Sequence, residues 1–487
     1  MSEFVRVNPQ PKFRLSPYLF MQFMEPLGTT DGSVEAGWDF GCDGWREDLI
    51  EATRELAPSL IRWPGGILSS YYRWKEGVGP RKRRVPMHNL LWGGIETNQV
   101  GTHEFIDFCR QVGAEPLIAI NFEADGKPAW SHPARGGVRG AGPNEAAEWV
   151  SYCNHPDNIR RAGNGAPDPF NVRLWQIGNE TSYNKDGFDC EKAARRTLAF
   201  ARVMREADPK IRLIGWGDSG WAERMLEVAG HELQYLAFHH HFNSGLEDSP
   251  LQWNDFRTDP AETWRHLMNA YHSTEARLQE MRQAVAGSII ALALTESHFG
   301  LRGRNRCDVL ATWAAGVAYA RILNVHARNG DILKIATLAD FCGTRWMTNA
   351  IIIPTPQGGY KAYLMPVGSV MALYRRHSGE AALEVVETPP GLDITASRRE
   401  DVVYLHVVNT SQTQSVPVEL QVAGCRLVAG CVYEIAADPM SEVDQGSPDV
   451  FKPVMRSMSV PTQWVFPAAS VTAIELHIAE EDHDLGS

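Results

Sequence analysis

The feature that most limits the fold of this chain is a repeated alternation of short apolar runs with amphipathic helical stretches through its first two thirds. The runs include PSLIRWP (58–64), EPLIAIN (115–121), VRLWQIGNE (172–180), IRLIGWG (211–217), LQYLAFHHH (233–241), SIIALALTE (288–296) and LKIATLA (333–339). Between them lie helical patterns such as GWREDLIEATREL (44–56), THEFIDFCRQVG (102–113), 190–208 and 308–330. Strand alternating with helix at this spacing specifies parallel βαβ units. The strands are almost continuously apolar, as expected when helices cover both faces of a sheet. With LSPYLFMQF (15–23) as the first strand the count reaches eight, which predicts a closed (β/α)8 TIM barrel over residues 15–356.

The pattern changes near residue 357. Segments such as ALEVVET, DVVYLHVVNT, VPVELQV and VTAIELHIA are short, β-rich and separated by turn residues. They predict a C-terminal antiparallel β-sandwich over 357–480, with the N-terminal stretch 1–14 a candidate extra strand. The charged tail 481–487 is expected to be disordered.

Composition narrows the function. A formal net charge of -12 in 487 residues argues against nucleic acid or an anionic membrane as the main partner. No apolar run is long enough for a membrane helix, and MSEFVRVNPQ lacks the pattern of a secretory signal. The eight Cys are dispersed without a CxxC pair, which fits a reducing compartment, and the protein is expected to be cytoplasmic. Fifteen Trp would suit a carbohydrate partner, although most Trp residues are core.

Catalytic groups of such barrels sit at the C-terminal ends of the strands. Glu180 ends WQIGNE and Glu296 ends LALTE. A carboxyl at the end of an apolar strand is partly desolvated, which raises its pKa and suits it to proton transfer. Two carboxylates facing each other across a sugar form a glycosidase pair, and a narrow separation implies retention of configuration. Either Glu alone could equally be a rim salt bridge. Asn179, next to Glu180, could bind a sugar hydroxyl or close a turn.

At these residues the chain resembles glycoside hydrolase family 51, the α-L-arabinofuranosidase family. The resemblance is carried by LIRWPGG (60–66), YYRWKEGVGP (71–80), the run 90–121 containing ETNQVGTHEF, EWVSYCN (148–154), LWQIGNE (174–180) and LTES (294–297). It implies a retaining, exo-acting glycosidase with Glu180 as acid/base and Glu296 as nucleophile. By position, Glu25 and Asn179 would bind sugar hydroxyls, and Arg62 would hold the nucleophile. His239 would sit beside the nucleophile, and Trp92 and Asn98 would border the site. The family needs no metal or other cofactor, and its members are often hexamers.

The chain departs from the family at several places. Ile67 stands where Asn or Cys is usual, His241 where Tyr is usual, and Ser297-His298 where Trp-Asn is common. Trp346, read as part of the last barrel helix, stands where a sugar-contacting Gln is common. The segment 121–142 is longer than its counterpart and is a candidate loop over the site. Two competing readings follow. One keeps the mechanism and changes the sugar, to another furanoside, a β-glucan or a xylan. The other is a non-catalytic carbohydrate-binding barrel, which would have no need of the Glu pair. A metal site on His239 and His241, completed by His298 or Glu296, competes with a plain hydrogen-bonding cluster, and no metal is expected. The run Arg81–Arg84 reads as a solvated loop and not as a nucleic-acid patch.

Overall fold

The computed structural model describes residues 3–89, 91–122, 141–183, 188–355, 358–460 and 462–480. Most of the expected loop at 121–142, and the tail 481–487, lie outside the described residues.

Eight parallel strands follow one another around a sheet in chain order: Met21–Phe23, Leu60–Trp63, Glu115–Ile120, Leu174–Ile177, Arg212–Trp216, Tyr235–Phe242, Ala291–Phe299 and Leu333–Ala336. Met21, Leu60, Leu117, Leu174, Ile214, Ala237, Ala293 and Ile335, one from each strand, meet in a single buried cluster. A flat sheet could not bring all eight together, so the sheet is curled into the expected (β/α)8 barrel. The first strand is shorter than its apolar run. Pro17, lacking an amide proton, starts a 3-10 turn over Pro17–Phe20, and Ser16 caps it.

The helices follow local chemistry. Glu104 accepts from the Gly101 amide at the start of Thr102–Val112, and Gly113, at φ +74°, ends that helix. Asp189 caps Cys190–Ala207, and Thr312 caps Trp313–Arg328. A helix at Pro366–Arg376, which the change of pattern near residue 357 does not suggest, is apolar nearly all round. It packs on Trp313–Arg328 and Glu47–Leu56, in the outer ring of the barrel.

Nine of the remaining strands form a sheet that folds back on itself through pairing of Val416–Val422 with Cys425–Ala436. All its pairings are antiparallel except that of Glu3–Arg14 with Val416–Val422. The N-terminal strand therefore joins the sandwich. Val5, Leu405, Leu420, Phe466 and Ile474 lie in its own apolar core. No helix among the described residues is long and apolar enough to cross a membrane.

Candidate active site

At the C-terminal mouth of the barrel, Glu180, His239 and Glu296 each place a ligand-type atom within 4.8 Å of the others. Backbone irregularities aim these side chains inward. Gly178 has φ +85° and Glu180 φ +51°, so the fourth strand breaks into a left-handed turn that swings Glu180 over the mouth. A left-handed non-glycine residue costs on the order of 1 kcal/mol and survives only where surrounding contacts enforce it. On the seventh strand the register slips: Phe238 faces Leu294, but His239 faces Glu296. Thr295 is the extra residue of this bulge. With strict alternation Thr295 would stand opposite His239, so the bulge is what presents Glu296 to the pocket.

Hydrogen bonds then lock the group. Arg62, with no exposed surface, donates from Nη1 to Glu296 Oε1 at 2.9 Å and from Nη2 to Asn179 Oδ1. These two bonds fix the fork of the guanidinium and the orientation of the Asn179 amide. Asn179 Nδ2 is buried and has no partner among the described residues, so it is free to donate to a ligand. His239 Nδ1 lies 2.9 Å from Glu180 Oε1 and 3.6 Å from Glu296 Oε2, and Nε2 lies 3.0 Å from Thr295 Oγ1. Burial pushes the His239 pKa down to about 3, so the ring is neutral at working pH. A proton on Nδ1 lets it donate to the carboxylates while Nε2 accepts the Thr295 hydroxyl.

Burial also raises the Glu180 pKa, against opposing pulls from His241 and Arg62. Glu25 follows the first strand and accepts from the Leu68 amide at 3.0 Å and from Trp92 Nε1 at 3.3 Å. Burial, and then the charge of Glu296, hold its carboxyl well above the usual range. Between Glu25 and Glu296 lies Gly66. A Cβ there would sit 2.8 Å from Glu296 Oε1 and 2.9 Å from Glu25 Oε2, so only glycine leaves the two carboxyls their positions. Asp218 carries no signal in the sequence. Burial pushes its carboxyl up, but Arg277 and the His239 amide outweigh this and keep it low. It accepts from the His239 amide at 3.1 Å and from Tyr183 Oη at 2.9 Å. Thr295 and Asp218 ride on ordinary strand sequence, so no motif marks them. The bulge that gives Thr295 its place is a property of strand pairing.

The opposite wall gathers the departures. The His241 and His298 rings stack at 4.3 Å with 23° between planes. The Arg304 guanidinium lies 4.4 Å above the Trp346 ring, and Trp346 meets Trp92 edge-on at 5.4 Å. Burial lowers the His298 pKa to about 3; its Nδ1 bonds the Phe299 carbonyl at 2.8 Å, and its Nε2 has no partner among the described residues. Trp346 is not helical. It lies between the strands Asp340–Gly343 and Asn349–Ile352, where Asp31 accepts from its amide at 2.8 Å. The Asp31 carboxylate organises that turn and so carries the aromatic wall.

One expected site residue, Asn98, is engaged elsewhere, and the departure at Ile67 lies outside the carboxylate cluster. Asn98, at φ +57°, donates to the Val85 carbonyl, and Arg84 donates to its own carbonyl at 3.0 Å. It closes a turn, and none of these bonds reaches the carboxylate pair. Ile67 packs against Leu68, Tyr71 and Met87 and begins a 3-10 turn. The contribution of that turn to the site is the Leu68 amide, which positions Glu25.

A divalent ion would need Glu180, His239 and Glu296 as ligands. Arg62 already occupies Glu296 Oε1 and places a fixed positive charge against the site, which opposes a dication. The arrangement suits glycoside cleavage instead, with two carboxyls facing one reacting carbon, one with a raised pKa and one gripped by a guanidinium.

Comparisons with known proteins agree with this geometry. Residues 52–256 match the family model described as the alpha-L-arabinofuranosidase 1 domain. An intracellular exo-alpha-(1->5)-L-arabinofuranosidase of Streptomyces lividans is 25% identical over 87% of this chain, and the chain spans 66% of that protein's length. A probable alpha-L-arabinofuranosidase C of Aspergillus flavus is 25% identical over 96% of both chains. The solved thermostable family 51 alpha-L-arabinofuranosidase of Thermotoga petrophila superposes with a TM-score of 0.77 at 25% identity, covering 97% of this chain and 100% of that one. Over nearly its whole length the chain is similar to alpha-L-arabinofuranosidases, among them a family 51 enzyme of solved structure.

Proposed function

We propose that this protein is an exo-acting, retaining α-L-arabinofuranosidase. The observation that carries the proposal is the pair Glu180 and Glu296, with carboxyl oxygens within 4.8 Å of one another and Arg62 on the second. That spacing leaves room for direct attack and none for a water between carboxylate and sugar. Glu296, held in place by the Arg62 guanidinium, attacks the anomeric carbon and forms a glycosyl-enzyme. Glu180, whose burial favours the protonated form, gives its proton to the departing glycosidic oxygen. It then takes a proton from the water that releases the sugar. His239 spans the two carboxylates and holds both orientations. Asn179 Nδ2 and Glu25 bind ring hydroxyls, and Trp92 and Trp346 wall the pocket. Short oligosaccharides in the cytoplasm are the expected substrates, and a homo-oligomer, a hexamer by family resemblance, is the expected assembly.

The stacked His241 and His298 and the Trp346 ring, all at positions that depart from the family pattern, favour a second reading, in which the same machinery accepts another furanoside or a β-linked glucan or xylan. A panel of nitrophenyl glycosides separates the two: α-L-arabinofuranoside beside β-D-galactofuranoside, β-D-xyloside and β-D-glucoside. Turnover concentrated on the arabinofuranoside supports the first reading. Silence on it, with turnover of another member, selects the second, and silence on all of them sinks both.

A further inference from the structure

At the other end of the barrel from Glu180 and Glu296 lies a cavity of about 670 Å³, between the barrel and the sandwich. It is bounded by residues 12–20, by the C-terminal ends of the helices Trp313–Arg328 and Pro366–Arg376, and by the strands Ala381–Glu387 and Leu392–Arg399. A cavity of this size is ample for a small organic molecule. Its body is apolar, with Phe13, Leu15, Leu323, Leu383 and Ile394 among the lining side chains.

Its polar groups are unbalanced. Arg14, Arg375 and Arg399 line it together with Glu380, which lies 3.9 Å from Arg14 and 3.7 Å from Arg399. Arg375 has no ion pair among the described residues, and its Nε is buried without a partner. Burial and the neighbouring Arg399 both act to lower its pKa, as befits two cations facing each other. Lys12 and Glu384, also on the lining, offset one another. A surplus of positive charge here is notable in a chain of net charge -12. Deeper in, His326 is 1% exposed, and neither of its ring nitrogens has a partner among the described residues. His406, 6% exposed and stacked on Tyr374 at 3.9 Å, likewise leaves Nε2 unpartnered. Buried polar atoms without partners are rare in folded proteins and ask for an occupant.

We propose that this cavity is a second binding site, for an anionic amphiphile of the fatty-acid or aryl-acid kind. The acid head would sit against Arg375 and Arg399, and the apolar body would extend along Phe13, Leu323 and Ile394, with a polar substituent on it to meet His326 or His406. A guanidinium pair lacking a full complement of carboxylates supplies charge-assisted donors to the head. The apolar lining supplies the driving force for the body. Because the walls come from both the barrel and the sandwich, an occupant would tie the two together and raise the melting temperature.

The test uses the whole protein and anilinonaphthalene sulfonate, a fluorescent acid with an apolar body. The expected result is saturable binding at one site per chain, displaced by decanoate and not by decanol. Arg375→Gln should weaken the affinity by about tenfold or more, and Arg375→Lys should recover part of the loss. Arg399→Gln, at a half-exposed position that folding tolerates, should weaken it in the same direction. Turnover of nitrophenyl glycosides should be unchanged in all three, so the result stands apart from the assignment of the catalytic pair. Absence of a saturable site, unchanged affinity in both glutamine variants, or equal displacement by decanol and decanoate would each overturn the proposal.

Discussion

On one side of the carboxylate pair, Arg62, Asn179 and Glu25 are fixed by ion pairs and directed hydrogen bonds. On the other, His241 stacks on His298 and Arg304 on Trp346. The first side matches the family pattern residue by residue, and the second is where the chain departs from it. The difference follows from what each side must do. Atoms that hold a nucleophile tolerate little displacement, because a small misplacement loses much of the rate. A wall of stacked rings can be exchanged for another of similar volume without disturbing the chemistry. The hydrogen-bonded side should therefore govern rate, and the stacked side should govern which sugar enters.

The largest expected effect breaks the first side at its centre. Glu296→Ala should lower kcat on every glycoside on the order of 10⁴-fold or more while the circular dichroism spectrum keeps the wild-type shape; the melting temperature should fall, because Arg62 is left buried without its carboxylate. Survival of near wild-type turnover would remove Glu296 as nucleophile. Glu180→Ala should be selective: a loss of roughly 10²–10⁴-fold on poor leaving groups and a much smaller one on nitrophenyl substrates. Because burial raises the Glu180 pKa, the group stays protonated above the ordinary carboxylate range and loses its proton as pH rises. The alkaline limb of kcat/KM should report that loss and should vanish in Glu180→Ala assayed on nitrophenyl substrates. A limb that persists there belongs to another group.

Arg62→Gln sharpens the same contrast through stability. It leaves Glu296 buried without its cation, and breaking a buried pair from one side costs about 3–5 kcal/mol. A denaturant titration should show that loss together with a fall in kcat. Replacing His241, which is exposed, should leave the unfolding midpoint almost unchanged. Equal stability losses at Arg62 and His241 would erase the distinction between the two sides.

The barrel is legible in the sequence because its strands are apolar on both faces and its helices carry their own caps and stops. The sandwich is legible from short strands and turn residues. The helix Pro366–Arg376 stays hidden because it is buried nearly all round and shows no polar face to mark its period. Glu180, Glu296, Arg62, Asn179 and Glu25 are readable because their motifs lie at strand ends. Thr295 and Asp218 are not, since their roles depend on a bulge and on a neighbouring strand. Sequence pattern wrongly puts Trp346 on a helix for a related reason: a buried carboxylate far away in the chain, Asp31, shapes the turn that carries it. Ile67 looks like a lost sugar contact, yet it packs inward and the useful group is the next residue's amide.

The smallest expected effects lie on the stacked wall, and they decide the substrate. His241→Tyr and Trp346→Gln restore the residues common in the family while leaving the carboxylate pair untouched. A pocket contact of this kind is worth about 1–3 kcal/mol of discrimination, roughly 10–200-fold between related sugars. If the wall has been retuned, the double variant should gain in kcat/KM on the arabinofuranoside relative to the other glycosides, with the change in KM larger than that in kcat. The direction matters more than the size. A gain means that ring stacking at 241, 298 and 346 has moved the preference of this chain away from arabinofuranosides. A loss means that the stacked rings already form a good arabinofuranoside wall, built with different side chains. An equal fall on all four glycosides, carried by kcat, would mean that the wall also positions Glu180 and that the two sides are not separable. His241 and Arg304 both lie close enough to Glu180 to act on its charge, which is the route by which such coupling would run.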